Sequence, residues 1–190
     1  MNVLLDNLSS TLVFATVALV LAATQFRMQK DTAEVTIAYM AKKQLLSFAE
    51  MIEDEYELIG EGISGTKIQT HTTDANGKTT SFVFNREISS VDTQVEYRLV
   101  ATDTVQVQGR DVPIYRVDRF EAGVKVGGGP ALLTDFRVDL LTSTGGGATT
   151  STAELVRIRM SLAHTVGDMD DSNVNVSYWG MTLRPIALSL

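Results

Sequence analysis

The chain has 190 residues, and its 44% hydrophobic content is enough for one domain with a true core, or for one domain plus an appendage. Sixteen Lys and Arg against 23 Asp and Glu give a net charge of −7, so the basic stripe that phosphate backbones require is missing and nucleic acid is excluded as a partner. Cysteine is absent, which removes disulfides, zinc thiolates and thiol nucleophiles together, and only His71 and His164 offer imidazole chemistry.

The first element is apolar. From Asn7 to Phe26 no residue is charged, and Leu12 to Ala23 form its centre, long enough to cross a bilayer as a helix. Ser9, Ser10, Thr11, Thr16 and Thr24 interrupt it, but such hydroxyls can bond to the preceding turn and let helices approach closely. A cleaved secretory signal needs a basic stretch first, whereas the only charge before this run is Asp6. Arg27, Lys30, Lys42 and Lys43 follow it. By the positive-inside rule they hold the downstream part in the cytoplasm, unless a basic leader preceded Met1 and was removed.

The helix is expected to continue past the apolar run. Between Arg27 and Gly60 there is neither Gly nor Pro, and Ala41, Leu45, Phe48, Ile52, Tyr56 and Ile59 recur every three or four residues. Gly60 and Gly62 supply the stop. A helix from Leu4 to Ile59 is on the order of 80 Å long at 1.5 Å per residue. No domain built from the remaining residues can bury all of it. The second half can lie on that domain, and the first half requires a bilayer or neighbouring helices. A coiled-coil stalk is the alternative, but heptads are not sustained through the first half.

After Gly65 the period changes to two. Thr79 to Asn85, Gln94 to Thr102, Val112 to Phe120, Leu133 to Thr142, Glu154 to Thr165 and Asn173 to Leu183 read as strands. Asp74 to Lys78 contains an Asn-Gly hairpin turn, and Gly109 to Asp111 marks a second. The glycine runs at 127–129 and 145–147 read as flexible surface turns, since neither has the Lys-Ser/Thr ending of a phosphate loop. Alternating strands need a cover for one face, and the amphipathic half-helix is the substantial candidate. The expected fold class is therefore α+β, with residues 1–60 as the long helix (7–26 apolar, 27–60 amphipathic) and 61–190 as a β-rich head.

Two acidic groups invite chemistry. Asp168, Asp170, Asp171 and Asn173 gather oxygen ligands suited to Ca²⁺ between the last two strands, although the glycine and distal glutamate of an EF-hand are missing; the alternative is a solvated acidic turn. Glu50, Glu53, Asp54, Glu55, Glu57 and Glu61 read as a solvated helix face. No nucleophile, base and orienting group converge in the sequence, so no catalytic residue is expected.

A long helix, apolar then amphipathic, followed by an antiparallel sheet resembles the type IV pilins and type II secretion pseudopilins over nearly the whole chain. The succession Phe82-Val83-Phe84, Val95 to Leu99, Ile114 to Val117, Leu132 to Val138 and Glu154 to Leu162 is similar to minor pilins with larger heads. That resemblance implies a structural, non-enzymatic filament subunit, held in the inner membrane before assembly and then carried in an extracellular or periplasmic filament. Its partners are copies of itself or other pilin-like subunits. The assembly residues are then Asp6, Leu12, Val13, Phe14, Val17, Leu19, Val20 and Leu21. Members of the family carry Glu at the fifth position of the mature helix; here that position is Leu5, and Asp6 is the nearest acid. Asp6 either pairs with a neighbour's α-amino group or lies in water at the membrane edge. A single-span envelope protein whose head binds a partner, or a secretion pseudopilin, is the alternative function. Apart from the Ca²⁺ candidate, no cofactor is expected.

Overall fold

The computed structural model describes residues 2–107, 110–165 and 174–189. It comprises one long helix and an eight-stranded antiparallel sheet, the α+β architecture that the change of period implies. Helix α1 runs from Asn2 to Glu57, about 80 Å. Its threonines behave as their positions suggest: Thr11, Thr16 and Thr24 donate to the carbonyls of Asn7, Leu12 and Val20, each four residues back, at 2.7–2.9 Å. An apolar environment therefore meets no unsatisfied hydroxyl at these three positions.

Among the described residues, α1 is buried against the rest of the protein from Ala41 onward. Ala41, Leu45, Phe48, Ala49, Ile52, Tyr56 and Ile59 are buried, which is the face the three-and-four spacing marks. Gly60 then turns the chain at φ +78°, and its amide donates to the Asn85 carbonyl at 2.8 Å. A Cβ at Gly60 would lie 2.8 Å from the Lys67 side chain, so glycine is required there for space as well as for backbone angle.

The strands are β1 (Ile68–Thr73), β2 (Thr79–Ile88), β3 (Val91–Val107), β4 (Arg110–Glu121), β5 (Val124–Gly128), β6 (Leu133–Leu141), β7 (Leu155–Thr165) and β8 (Val174–Leu183), and a 3₁₀ turn closes the chain at Ile186–Ser189. Their order is β1-β2-β3-β4-β6-β7-β8, with β5 folded back on β4. The join between β4 and β6 is a single register pair, Tyr115 with Leu133. Side chains reinforce that seam. The Thr79 hydroxyl accepts from the Val138 amide at 2.8 Å, and Lys78 Nζ donates to the Thr134 carbonyl at 2.9 Å.

Strands β1 and β5 are additions to the six that alternation reveals. β1 is Thr-rich and largely exposed, a sheet edge with little apolar signal. β5 corrects the reading of residues 127–129 as a loose turn, since Gly127 and Gly128 pair with Arg119 and Asp118. A Cβ on Gly128 would approach the Val117 carbonyl oxygen to 2.5 Å, and one on Gly129 would sit 2.6 Å from the Phe48 ring. These glycines are there so that backbone can pass close over α1 and β4. The turns at 77 and 145 do match expectation, with φ of +77° and +84°. Asp74 Oδ1 accepts from the amides of Asn76 and Lys78, fixing the β1–β2 turn.

The core lies between the inner face of the sheet and α1. Tyr56 is at its centre, with ring centroids 5.2–5.4 Å from Phe82, Phe84 and Tyr97. Its hydroxyl is buried and has no partner among the described residues, and burial pushes its pKa well up. Tyr56→Phe should therefore keep the packing and remove an unsatisfied group. The expected result is unchanged or increased stability, by up to about 1–3 kcal/mol, in urea unfolding followed through Trp179 fluorescence. A clear loss would mean that the hydroxyl has a partner in solution.

Candidate assembly surface and its anchor on the head

The apolar part of α1 carries its side chains outward on every side. Leu12, Val13, Phe14, Val17, Leu19, Val20 and Leu21 are between 51% and 75% exposed, and α1 is long and apolar enough to cross a membrane. Single exposed apolar residues are ordinary; a continuous sleeve of them over several turns is not. Covering these seven side chains is worth about 10–20 kcal/mol in gross transfer free energy from water. Asp6 lies on the same helix, before the sleeve begins. The exposure continues beyond the apolar run through Met28, Val35, Tyr39 and Met40, up to where the head begins to cover Ala41.

A force or torque on this projecting helix reaches the head through its last four turns, where one acid departs from the reading of that face. Glu55 is 5% exposed, in contrast to Glu50, Asp54, Glu57 and Glu61, which are exposed as expected. Arg119 donates to both its carboxylate oxygens, from Nε at 2.6 Å and from Nη2; Arg86 Nη2 approaches at 3.2 Å, and the Tyr97 hydroxyl donates as well. The arginines come from β2 and β4 and the tyrosine from β3, so one helix carboxylate ties α1 to three adjacent strands. Sequence spacing does carry the signal: Glu55 is three residues after Ile52 and four before Ile59, on the buried face. Its charge led to its grouping with the solvated acids.

Tyr97 and Arg119 hold their protons firmly in this cluster. Burial, then the Glu55 charge and the hydrogen bond to it, drive the Tyr97 pKa far up, and the hydrogen bond to Glu55 does the same for Arg119. Both remain donors at any ordinary pH. Chemically the arrangement fastens; with its oxygens occupied by donors, Glu55 is not placed to accept a substrate proton.

His71 lies on β1, half-buried, with Nε2 3.4 Å from the Thr79 hydroxyl and its ring edge-on to Phe82. Burial lowers its pKa, against smaller raising effects from the Val138 backbone and the Asp139 charge. The unfolded chain then binds the proton more readily than the folded one, so stability is held above the ordinary histidine value near 6.5 and lost as pH falls below it. Thermal melts between pH 7 and pH 5 should show this slope, and His71→Gln should flatten it. An unchanged slope in that variant would assign the effect to other groups.

The Ca²⁺ candidates Asp168, Asp170, Asp171 and Asn173 lie outside the described residues. Among the described residues, no group of three or more His, Asp or Glu is placed to hold a metal ion. No protein-family model matches the chain, and neither a curated protein nor a solved structure matches it.

Proposed function

We propose that this protein is a structural subunit of a pilin-like helical filament. Residues 7–26 anchor it in the inner membrane before assembly, then pack with neighbouring copies while the heads form the outer surface. The observation that carries this reading is the apolar sleeve, which projects clear of the head and needs a cover on all sides. Lipid supplies one cover and a bundle of like helices the other. Because the two are similarly apolar, Ala, Ser and Thr must favour the bundle through close packing. Repeated head-to-tail contacts then propagate instead of closing. Electron microscopy of material sheared from expressing cells, with mass spectrometry of the N-terminus, tests it. Thin filaments containing the chain support the reading, and a protein found solely in detergent-extracted membrane rejects it.

A second reading has its own observation. Arg27 and Lys30 follow the apolar run directly, the placement of a stop on a single span, so a tethered envelope protein that never polymerises also accounts for the sleeve. In that case α1 is ordered only with lipid or detergent present. A secretion pseudopilin shares the assembly chemistry and would give a short fibre retained in the envelope.

A further inference from the structure

On the outer face of the sheet, away from α1, a cavity of about 500 Å³ opens over β6, β7 and β8, lined by Asp135, Arg137, Arg159, Ser161, Tyr178 and Gly180 together with the edges of Met160 and Trp179. Register explains why it is there. Arg137, Arg159 and Gly180 are aligned across the three strands, and Asp135, Ser161 and Tyr178 form the next outward row. Gly180 and Ser161 contribute almost no bulk, so they form a floor between an arginine wall and the Tyr178 ring. Tyr178 is 81% exposed, a large aromatic face left open by the described residues.

The charges around the floor are unbalanced. Asp139 Oδ2 is shared by Arg157 at 3.1 Å and Arg159 at 2.8 Å, and Asp135 Oδ2 accepts from Arg137 Nε at 2.8 Å. Three guanidinium groups face two carboxylates, a local excess of positive charge on a protein whose net charge is −7. Like charges opposed across a ladder, as Arg137 and Arg159 are, destabilise a sheet unless an anion joins them. Asp135 Oδ1 is buried and has no hydrogen-bond partner among the described residues, so it faces away from the cavity's open space.

We propose that this cavity binds an acidic saccharide through a uronate unit. One ligand class meets both features. The flat C–H face of a pyranose covers the Tyr178 ring, and its carboxylate bridges Arg137 and Arg159. A simple anion leaves the aromatic face uncovered, and a neutral sugar leaves the arginine pair unbridged. Guanidinium–carboxylate pairs give such a site its directional contacts. This inference does not depend on whether the chain polymerises.

The test is titration of the full chain in detergent with uronate oligomers of the galacturonate, glucuronate and mannuronate series, read by calorimetry and saturation-transfer NMR. Neutral hexose oligomers and acetate serve as comparisons. The expected result is binding of at least one uronate series, at least tenfold tighter than its neutral counterpart. Tyr178→Ala and Arg159→Gln each weaken it tenfold or more, and Tyr178→Phe retains it, with circular dichroism showing all three variants folded. Failure of every uronate series overturns the proposal. So does equal binding of acetate, or undiminished binding by folded Tyr178→Ala.

Discussion

Glu55→Ala is expected to destabilise the head by about 3–5 kcal/mol, because it leaves the buried Arg86 without its carboxylate and Arg119 with Glu121 as its remaining counter-charge. The loss arises less from a missing attraction than from two guanidinium groups left under-compensated in a poorly solvated site. The double variant Glu55→Leu/Arg119→Leu should recover part of the stability lost in either single variant, with a coupling of about 0.5–3 kcal/mol. Urea unfolding followed through Trp179 fluorescence gives all the required values. A loss below about 1 kcal/mol for Glu55→Ala would show that the carboxylate is solvated and that apolar packing alone fastens the helix. Because the cluster joins α1 to β2, β3 and β4, the same variant should also loosen the helix from the head before the sheet itself melts.

The second large effect concerns the sleeve. Val17→Lys places a charge near the centre of the apolar run, about 2.5–3.5 kcal/mol unfavourable for insertion at that depth. Inside a helical bundle it is costly for the same reason, and its long side chain prevents close approach. The head does not touch Val17, so its near-ultraviolet circular dichroism and melting should be unchanged. Membrane fractionation should show weakened retention, and sheared preparations should contain no filaments. Filaments of normal abundance would remove residues 7–26 from the core of the assembly. A conservative Val17→Leu control should behave as the original chain.

Those two experiments address one helix read in opposite ways. Its existence, length and buried face were legible because a 3.6-residue period sustained to Gly60 leaves few alternatives, and because each element of the pattern obeys a local rule. The six alternating strands were legible for the same reason. β1 was not, since an edge strand rich in threonine has no apolar face to mark it. β5 was masked by glycines that look like loop residues until the closeness of Phe48 and the β4 backbone is seen. The β2–β3 turn is made by Ser89 and Ser90 at φ +52° and +64°, a conformation usually signalled by Asn or Gly, so composition gave no cue. At the site, Leu12 to Leu21 could be named from hydropathy alone. Glu55 could not be separated from its acidic neighbours until Arg86, Tyr97 and Arg119, from three distant strands, were placed around it. The outer cavity was equally hidden, because it depends on strand register, which fixes what lies opposite Gly180 and Tyr178.

The seam between β4 and β6 gives the head a mechanical character. With one ladder pair there, the sheet is two leaves, β1 to β5 and β6 to β8, and α1 lies across both as a splint. The Glu55 cluster fastens the splint to the first leaf only, whereas the second leaf is held by greasy contact and by Thr79 and Lys78. Backbone to backbone, α1 lies closest to β7 and β8, while the Glu55 cluster reaches across to β2, β3 and β4. Tension along the helix is therefore shared between the leaves, carried by close packing on one and by directional bonds on the other, so that the helix bridges the seam that the ladder leaves weak.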